Sequence, residues 1–234
     1  MISNQNFKFI DLFAGIGGFR IALEKHGAKC VFSSEWDKEA QKTYKENFGE
    51  MPHGDITKIN EKDIPKHDII CAGFPCQAFS ISGKQRGFKD TRGTLFFDIV
   101  RIAKYHQPKI LFLENVKNLV KHYQGNTLKI ILKILDETGY DTYYKVLTAS
   151  HYGVPQARER IYIIAFRKDL KVNYFYFPKP TYNKIYVKDI LEQDDLTEDY
   201  VINRKDIKFW EKNQTPQLKP IQIGQINRGG QGER

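Results

Sequence analysis

Along the first 180 residues, short apolar runs alternate with stretches whose apolar positions recur every third or fourth residue. The runs at 7–13, 30–32, 68–73, 109–115, 143–147 and 160–167 predict strands. The stretches at 19–26, 37–48, 94–105 and 126–138 predict helices. Gly27 is placed to stop the first helix. Asp37 is placed to cap the second at its start and Gly49 to close it. Strands alternating with helices predict βαβ units, hence an α/β fold with a doubly wound, mostly parallel sheet and helices on both faces. After Phe175-Tyr-Phe-Pro-Lys-Pro180 the periodicity fades and the chain becomes polar and mixed. Two domains are expected, at 1–180 and 181–234. The second ends in Gly229-Gly-Gln-Gly-Glu-Arg234, which is loop chemistry, so it reads as begun and incomplete.

Charge changes this picture more than composition does. Hydrophobic residues at 41% and charged residues at 28% fit a globular chain and exclude disorder over most of its length. No apolar run approaches the roughly 18 residues that span a membrane, and the polar start carries no secretory leader. Three cysteines do not make a disulfide framework. A cytoplasmic protein without membrane contact is expected. The net charge is +9 and the pI about 9.3. Basic and acidic residues balance after Pro180, so the whole excess lies in 1–180. A polyanion, nucleic acid first, is one reading; an ordinary basic enzyme is the other.

Four motifs carry candidate chemistry. Asp11-Leu-Phe-Ala-Gly15-Ile-Gly17-Gly18 follows a strand and opens a helix, so its backbone turns tightly and approaches a ligand closely. Glu35, at the end of the next strand, is placed to accept from ribose hydroxyls. A dinucleotide fingerprint needs Gly or Ala where Arg20 stands. A nucleoside cofactor without a pyrophosphate, such as S-adenosylmethionine, fits better than NAD. The second motif is Gly73-Phe-Pro-Cys76-Gln-Ala-Phe-Ser80-Ile-Ser82, placing Cys76 in a polar loop at a strand end, as a nucleophile or an idle thiol. Cys30 and Cys71 lie in apolar strands and read as core. No metal site is expected, because the cysteines lack further ligand partners. Third, Glu114-Asn115-Val116 follows an apolar strand. Glu114 is either desolvated, with a raised pKa suited to proton transfer, or an exposed strand end. Fourth, Arg158 and Arg160 share one side of an extended chain, for a base carbonyl, a phosphate or solvent. The basic loop from Lys84 to Arg92 reads as a lid, a phosphate clamp or a solvated loop.

In this order the four motifs resemble those of the C5-cytosine DNA methyltransferases, and the resemblance covers nearly the whole chain. It implies a Rossmann-like, S-adenosylmethionine-dependent catalytic domain and an incomplete target-recognition domain. Cys76 is then the nucleophile that adds to a flipped-out cytosine. Glu114 protonates the base at N3, and Arg158, with Arg160, meets it. Phe13, Gly15, Gly17, Gly18, Glu35, Trp36, Asp55, Ile56, Phe74 and Leu95 are implied at the cofactor, with Trp36 stacking on adenine and Asp55 accepting from its amino group. Ser80, Ser82, Arg92, Gln231 and Arg234 are implied at double-stranded DNA, and a GCGC-type target follows by the same resemblance. The implied role is the modification half of a prokaryotic restriction-modification system. The family's late cofactor segment and final helix find no match, so a second polypeptide supplying them is a candidate partner. An inactive remnant that binds DNA or cofactor, and an RNA cytosine methyltransferase, are the alternatives. A nicotinamide oxidoreductase leaves Cys76, Glu114 and Arg158 without a shared task.

Overall fold

The computed structural model describes residues 7–75 and 95–191. In chain order they form β1 (Lys8–Leu12), α1 (Gly18–Glu24), β2 (Lys29–Ser34), α2 (Lys38–Phe48), β3 (Ile69–Gly73), α3 (Leu95–His106), β4 (Ile110–Val116), α4 (Asn126–Glu137), β5 (Tyr140–Thr148) and β6 (Glu159–Arg167). The sheet order is β2-β1-β3-β4-β6-β5. β1 to β4 run parallel, as the pattern predicts, while β6 runs antiparallel to both its neighbours. The reason is length. A parallel crossover needs about a dozen residues or more, and the link from β5 to β6 is shorter and contains only a single helical turn.

Alternation of side chains sorts the sheet into two apolar faces. Ile10, Leu12, Ile70, Ala72, Leu111, Leu113, Ile161, Ile163 and Ala165 point to one face. There they pack with Ile99, Ile102 and Ala103 of α3 and Leu128, Ile131 and Leu135 of α4. The opposite face carries Phe9, Ile69, Cys71 and Phe112, met by Phe19 and Leu23 of α1. Phe19 sets its edge against Phe112, ring centroids 5.0 Å apart. Helices therefore cover both faces, and the core arises from the strand periodicity alone. β5 starts earlier than its apolar run predicts, because Tyr140 is buried and donates its hydroxyl to the Pro108 carbonyl at 2.9 Å.

The described residues divide into two compact units, 7–75 with 95–148 and 158–180, and 149–157 with 181–191. The whole sheet lies in the first. In the second, the His151 carbonyl accepts from the amides of Thr181 and Tyr182, and the His151 ring packs on Tyr182.

Three local devices hold α1, α2 and the turn between β1 and α1. Asp37 caps α2, its carboxylate accepting from the amides of Glu39 and Ala40 at 3.0 and 2.8 Å, and Gly49 ends that helix in the left-handed region. Arg20, the residue that breaks the dinucleotide fingerprint, is a structural clip. Its guanidinium donates to the Tyr44 hydroxyl, Glu24 and Glu50 and lies 4.4 Å from the centroid of the Phe48 ring. It ties α1 to α2. Gly17 has φ 95°, and a Cβ built there would lie 2.1 Å from the Phe48 ring.

Two buried histidine nitrogens mark the other end of the sheet. His67 donates from Nδ1 to the Pro65 carbonyl at 2.7 Å, while its buried Nε2 has no partner among the described residues. Burial holds the ring's pKa down to about 4, and the neighbouring His106 adds to this.

Gly17→Ala is expected to cost about 2–4 kcal/mol, combining left-handed strain with overpacking against Phe48. Gly18→Ala, where a Cβ meets nothing within 4 Å, serves as control. Urea unfolding of the two variants measures the difference. His67 is neutral in the folded protein and titrates near its ordinary value when unfolded. Acid therefore favours the unfolded chain: stability is lost as pH falls from about 6.5 toward 4, by up to about 3 kcal/mol. Denaturant midpoints against pH, with His67→Leu flattening that limb, check this.

Candidate active site

The strand ends assemble the site. Beyond β1 the chain turns through Phe13 and Gly15, both at φ 57°, and Gly17. The Ala14 amide donates to the Ser34 carbonyl at 2.9 Å, which seats this turn beside the end of β2. Glu35 then organises the corner. Its Oε2 accepts from the Gly15 amide at 2.8 Å, and its Oε1 from the amides of Trp36 and Asp37 at 2.8 and 2.9 Å. Its own backbone is held by the His53 carbonyl and by the amide side chain of buried Gln41. A carboxylate offers about four acceptor positions. Three are occupied, so one remains on Oε2 for a ligand hydroxyl.

The third wall comes from 52–57, which pairs with β2 as an isolated parallel bridge between Ser34 and His53. The His53 ring stacks on Phe32 at 4.5 Å. Asp55 Oδ1 accepts from the Thr57 amide and hydroxyl at 3.0 and 2.8 Å. The Thr57 hydroxyl and amide hold the Asp55 carboxyl below its usual value. Phe13, Ser34, Glu35, Trp36, Gly54, Asp55, Ile56, Thr57 and Leu95 enclose a cavity of about 190 Å³. Trp36 is 76% exposed, an unusual state for an indole and one suited to stacking on a ligand ring.

Of the ten residues expected at a cofactor, six line this cavity: Phe13, Glu35, Trp36, Asp55, Ile56 and Leu95. Gly15 and Gly18 do not line it; a Cβ at either meets nothing within 4 Å, and the Gly15 amide reaches the cavity only through Glu35. Gly17 is required by Phe48, and Phe74 is buried against Phe96 instead of lining the cavity. Ser34, Gly54 and Thr57 line it without having been anticipated. The Asp-x-Thr spacing at 55–57, which builds the turn, is the signal that could have found Thr57.

Among the described residues, the lining contains two carboxylates and neither lysine nor arginine. Such a set disfavours a phosphate and suits a neutral or cationic ligand. It fits S-adenosylmethionine: a ring for Trp36, ribose hydroxyls for Glu35, and a sulfonium in an acidic cavity.

At the next strand ends, Gly73 pairs with Glu114 and Glu114 with Tyr162. Glu114 Oε1 is held by Arg160 at 2.8 Å, and Oε2 lies 3.4 Å from where a Cβ on Gly73 would stand. The Glu114 side chain is 23% exposed, so it is ion-paired and partly wet where the sequence allowed a dry site. On the same strand as Arg160, Glu159 is gripped by Lys117, whose Nζ meets both its oxygens at 2.7 Å. Arg158, just before β6, is exposed. Cys76, Ser80, Ser82, Arg92, Gln231 and Arg234 lie outside the described residues. Cys30 and Cys71 are buried, and burial pushes both thiols up, Cys30 to about 11. No cluster of three metal-ligating side chains occurs among the described residues, and no helix there is long and apolar enough to cross a membrane.

The fold is one shared with solved methyltransferase structures. A Dnmt2 methyltransferase from S. pombe superposes with a TM-score of 0.63 at 21% identity, covering 83% of this chain and 63% of that one. A DNMT2 mutant from Spodoptera frugiperda gives 0.64 at 24%, covering 81% and 60%. More specifically, residues 7–231 match the model of the C-5 cytosine-specific DNA methylase family, and the chain belongs to that family of enzymes. It is 57% identical to Type II methyltransferase M.HhaI of Haemophilus parahaemolyticus over 97% of its length and 70% of that protein's. It is 53% identical to Type II methyltransferase M.HpaII of Haemophilus parainfluenzae over 89% of its length, spanning 60% of that relative.

Glu35→Gln leaves one acceptor oxygen where three amides now bond. It should cost about 1–3 kcal/mol and weaken S-adenosylmethionine binding. Calorimetric titration and thermal unfolding of the variant measure both effects.

Proposed function

We propose that this protein transfers a methyl group from S-adenosylmethionine to C5 of cytosine in double-stranded DNA through a covalent adduct at Cys76. The observation that carries the reading is the shared sheet edge. An acidic, tryptophan-walled cavity stands at the ends of β1 and β2, and Glu114 with Arg160 stands at the ends of β4 and β6.

C5 of cytosine is a weak nucleophile inside a base stack, so the base must leave the duplex, at roughly a few kcal/mol. The Cys76 thiolate then forms a bond to C6, pushing the ring electrons toward C5 and N3. Glu114 delivers a proton to N3, which neutralises the ring as charge builds. Its Oε2 is the oxygen turned to the strand end, since Oε1 stays on Arg160. Arg158 meets the base carbonyl. S-adenosylmethionine supplies an electrophilic methyl group when bound. Once C5 carries that methyl, a base takes the C5 proton, the C5–H electrons form the C5=C6 double bond and expel the Cys76 thiolate, and the N3 proton returns to Glu114, so the base leaves neutral. The basic stretch around Lys84 to Arg92, with Ser80, Ser82, Gln231 and Arg234, is assigned to DNA. The relatives are Type II methyltransferases, and we place this protein as the modification half of a restriction-modification system with a GCGC-type target.

A second feature bears on how the enzyme works. α1 packs Phe19 and Leu23 on the sheet but leaves Ile21 56% exposed, as is Ile16 in the turn before it. Such a face suits cover by a further segment, which a second polypeptide could supply.

Transfer of labelled methyl from S-adenosylmethionine to duplex DNA tests the reading, run with and without a polypeptide carrying the remaining length of a relative. Incorporation is expected in at least one arm, lost in Cys76→Ser and lowered about 10²–10⁴-fold in Glu114→Gln. Silence in both arms with a folded, cofactor-binding chain overturns it. Labelling of RNA in place of DNA redirects it to an RNA cytosine methyltransferase.

A further inference from the structure

The end of β4 carries two polar side chains that alternate onto opposite faces of the sheet. Glu114 shares its face with Gly73 and Tyr162. Asn115 points the other way, with Leu111 and Leu113, and is 2% exposed. A buried carboxamide needs partners for both ends. Its Nδ2 donates to the Phe74 carbonyl at 2.8 Å, and its Oδ1 accepts from the Val116 amide at 2.8 Å.

Phe74 sits where β3 has just ended. Gly73 and Glu114 are the last pair of the β3–β4 ladder, so no strand partner remains to hold the Phe74 carbonyl. Two side chains take over. Phe96 of α3 packs on its ring at 5.6 Å, and Asn115 holds its carbonyl. Phe74 thus leaves the sheet in a fixed direction, anchored on both sides of its Cα. Cys76 is two residues further on, and at about 3.3–3.6 Å per residue the chain has little length in which to absorb an error.

We propose that Asn115 is the positioning residue for Cys76, setting the direction in which the chain leaves β3 toward the nucleophile. This rests on Cys76 as the attacking thiolate. Adjacent residues of one strand then serve the two halves of one reaction: Glu114 meets the base and Asn115 aims the sulfur. A misplacement of about 1 Å at a reacting atom can cost about 10²-fold in rate, so the tie matters to chemistry more than to stability.

The test uses a duplex carrying 5-fluorocytosine in the target sequence, with S-adenosylmethionine. Fluorine at C5 cannot leave as a proton does, so the methylated adduct stays on the cysteine and survives denaturing electrophoresis. Asn115→Leu removes both hydrogen bonds at near-constant volume, and Asn115→Ser is the alternative if that variant does not fold. Adduct formation is measured on the full chain, with any added polypeptide that wild type needs. The rate at saturating DNA should fall about 10–100-fold, while the S-adenosylmethionine dissociation constant and the DNA concentration for half-maximal rate stay within about twofold. An unchanged rate overturns the proposal. So does a loss of cofactor binding that parallels the loss of rate, which marks a general structural role. A wild-type protein that forms no adduct overturns the nucleophile assignment itself, a result distinct from an active wild type matched by an active variant.

Discussion

The parallel ladder of β2, β1, β3 and β4 is the constraint on which the site depends. In that register Leu12 lies beside Ser34 and Ala72, and Gly73 beside Glu114. Strands that run parallel end together. Their exits, where the backbone must leave the sheet and find new hydrogen-bond partners, therefore gather along one edge. Each exit here is held by a side chain. Glu35 holds the exits of β1 and β2, and Asn115 holds that of β3. The reversed β6 completes the edge differently, because its first residues stand beside the last residues of β4, and this brings Arg160 to Glu114.

The cavity and the Glu114 carboxylate are built by different physics. The cofactor side is a set of buried or half-buried acceptors saturated by backbone amides, which fixes its shape before any ligand arrives and leaves few free valences. Glu114 is held by a charge partner and retains access to solvent. The first arrangement favours recognition of one ligand shape. The second leaves a carboxylate that can exchange its partner, as the proposed proton transfer to a base requires.

Most of the fold was legible in the sequence because each face of the sheet is covered, so strand and helix periodicities were both strong. The reversal of β6 was not, since apolar alternation is blind to strand direction, and only the short link after β5 hinted at it. Within the site, Glu35 was legible from its place at the end of an apolar strand, while Phe13, Trp36, Asp55, Ile56 and Leu95 came from the family resemblance. Ser34, Gly54 and Thr57 were missed because their role comes from an isolated bridge to β2 that no local pattern announces. Arg20 looked like a departure from a ligand motif, and its clip on Tyr44 and Phe48 requires knowing that α1 and α2 meet. Asn115 is similar: its partner lies 41 residues away.

The claim that most of this rests on is that the acidic cavity at the ends of β1 and β2 holds the methyl donor. A crystal structure of the protein with S-adenosylhomocysteine tests it directly. The account predicts the adenine against Trp36, one ribose hydroxyl on Glu35 Oε2 with the Gly15 amide still bound there, and the sulfur directed along the sheet edge toward Glu114. Ligand bound elsewhere, or a Glu35 carboxylate turned away from Gly15, would contradict it.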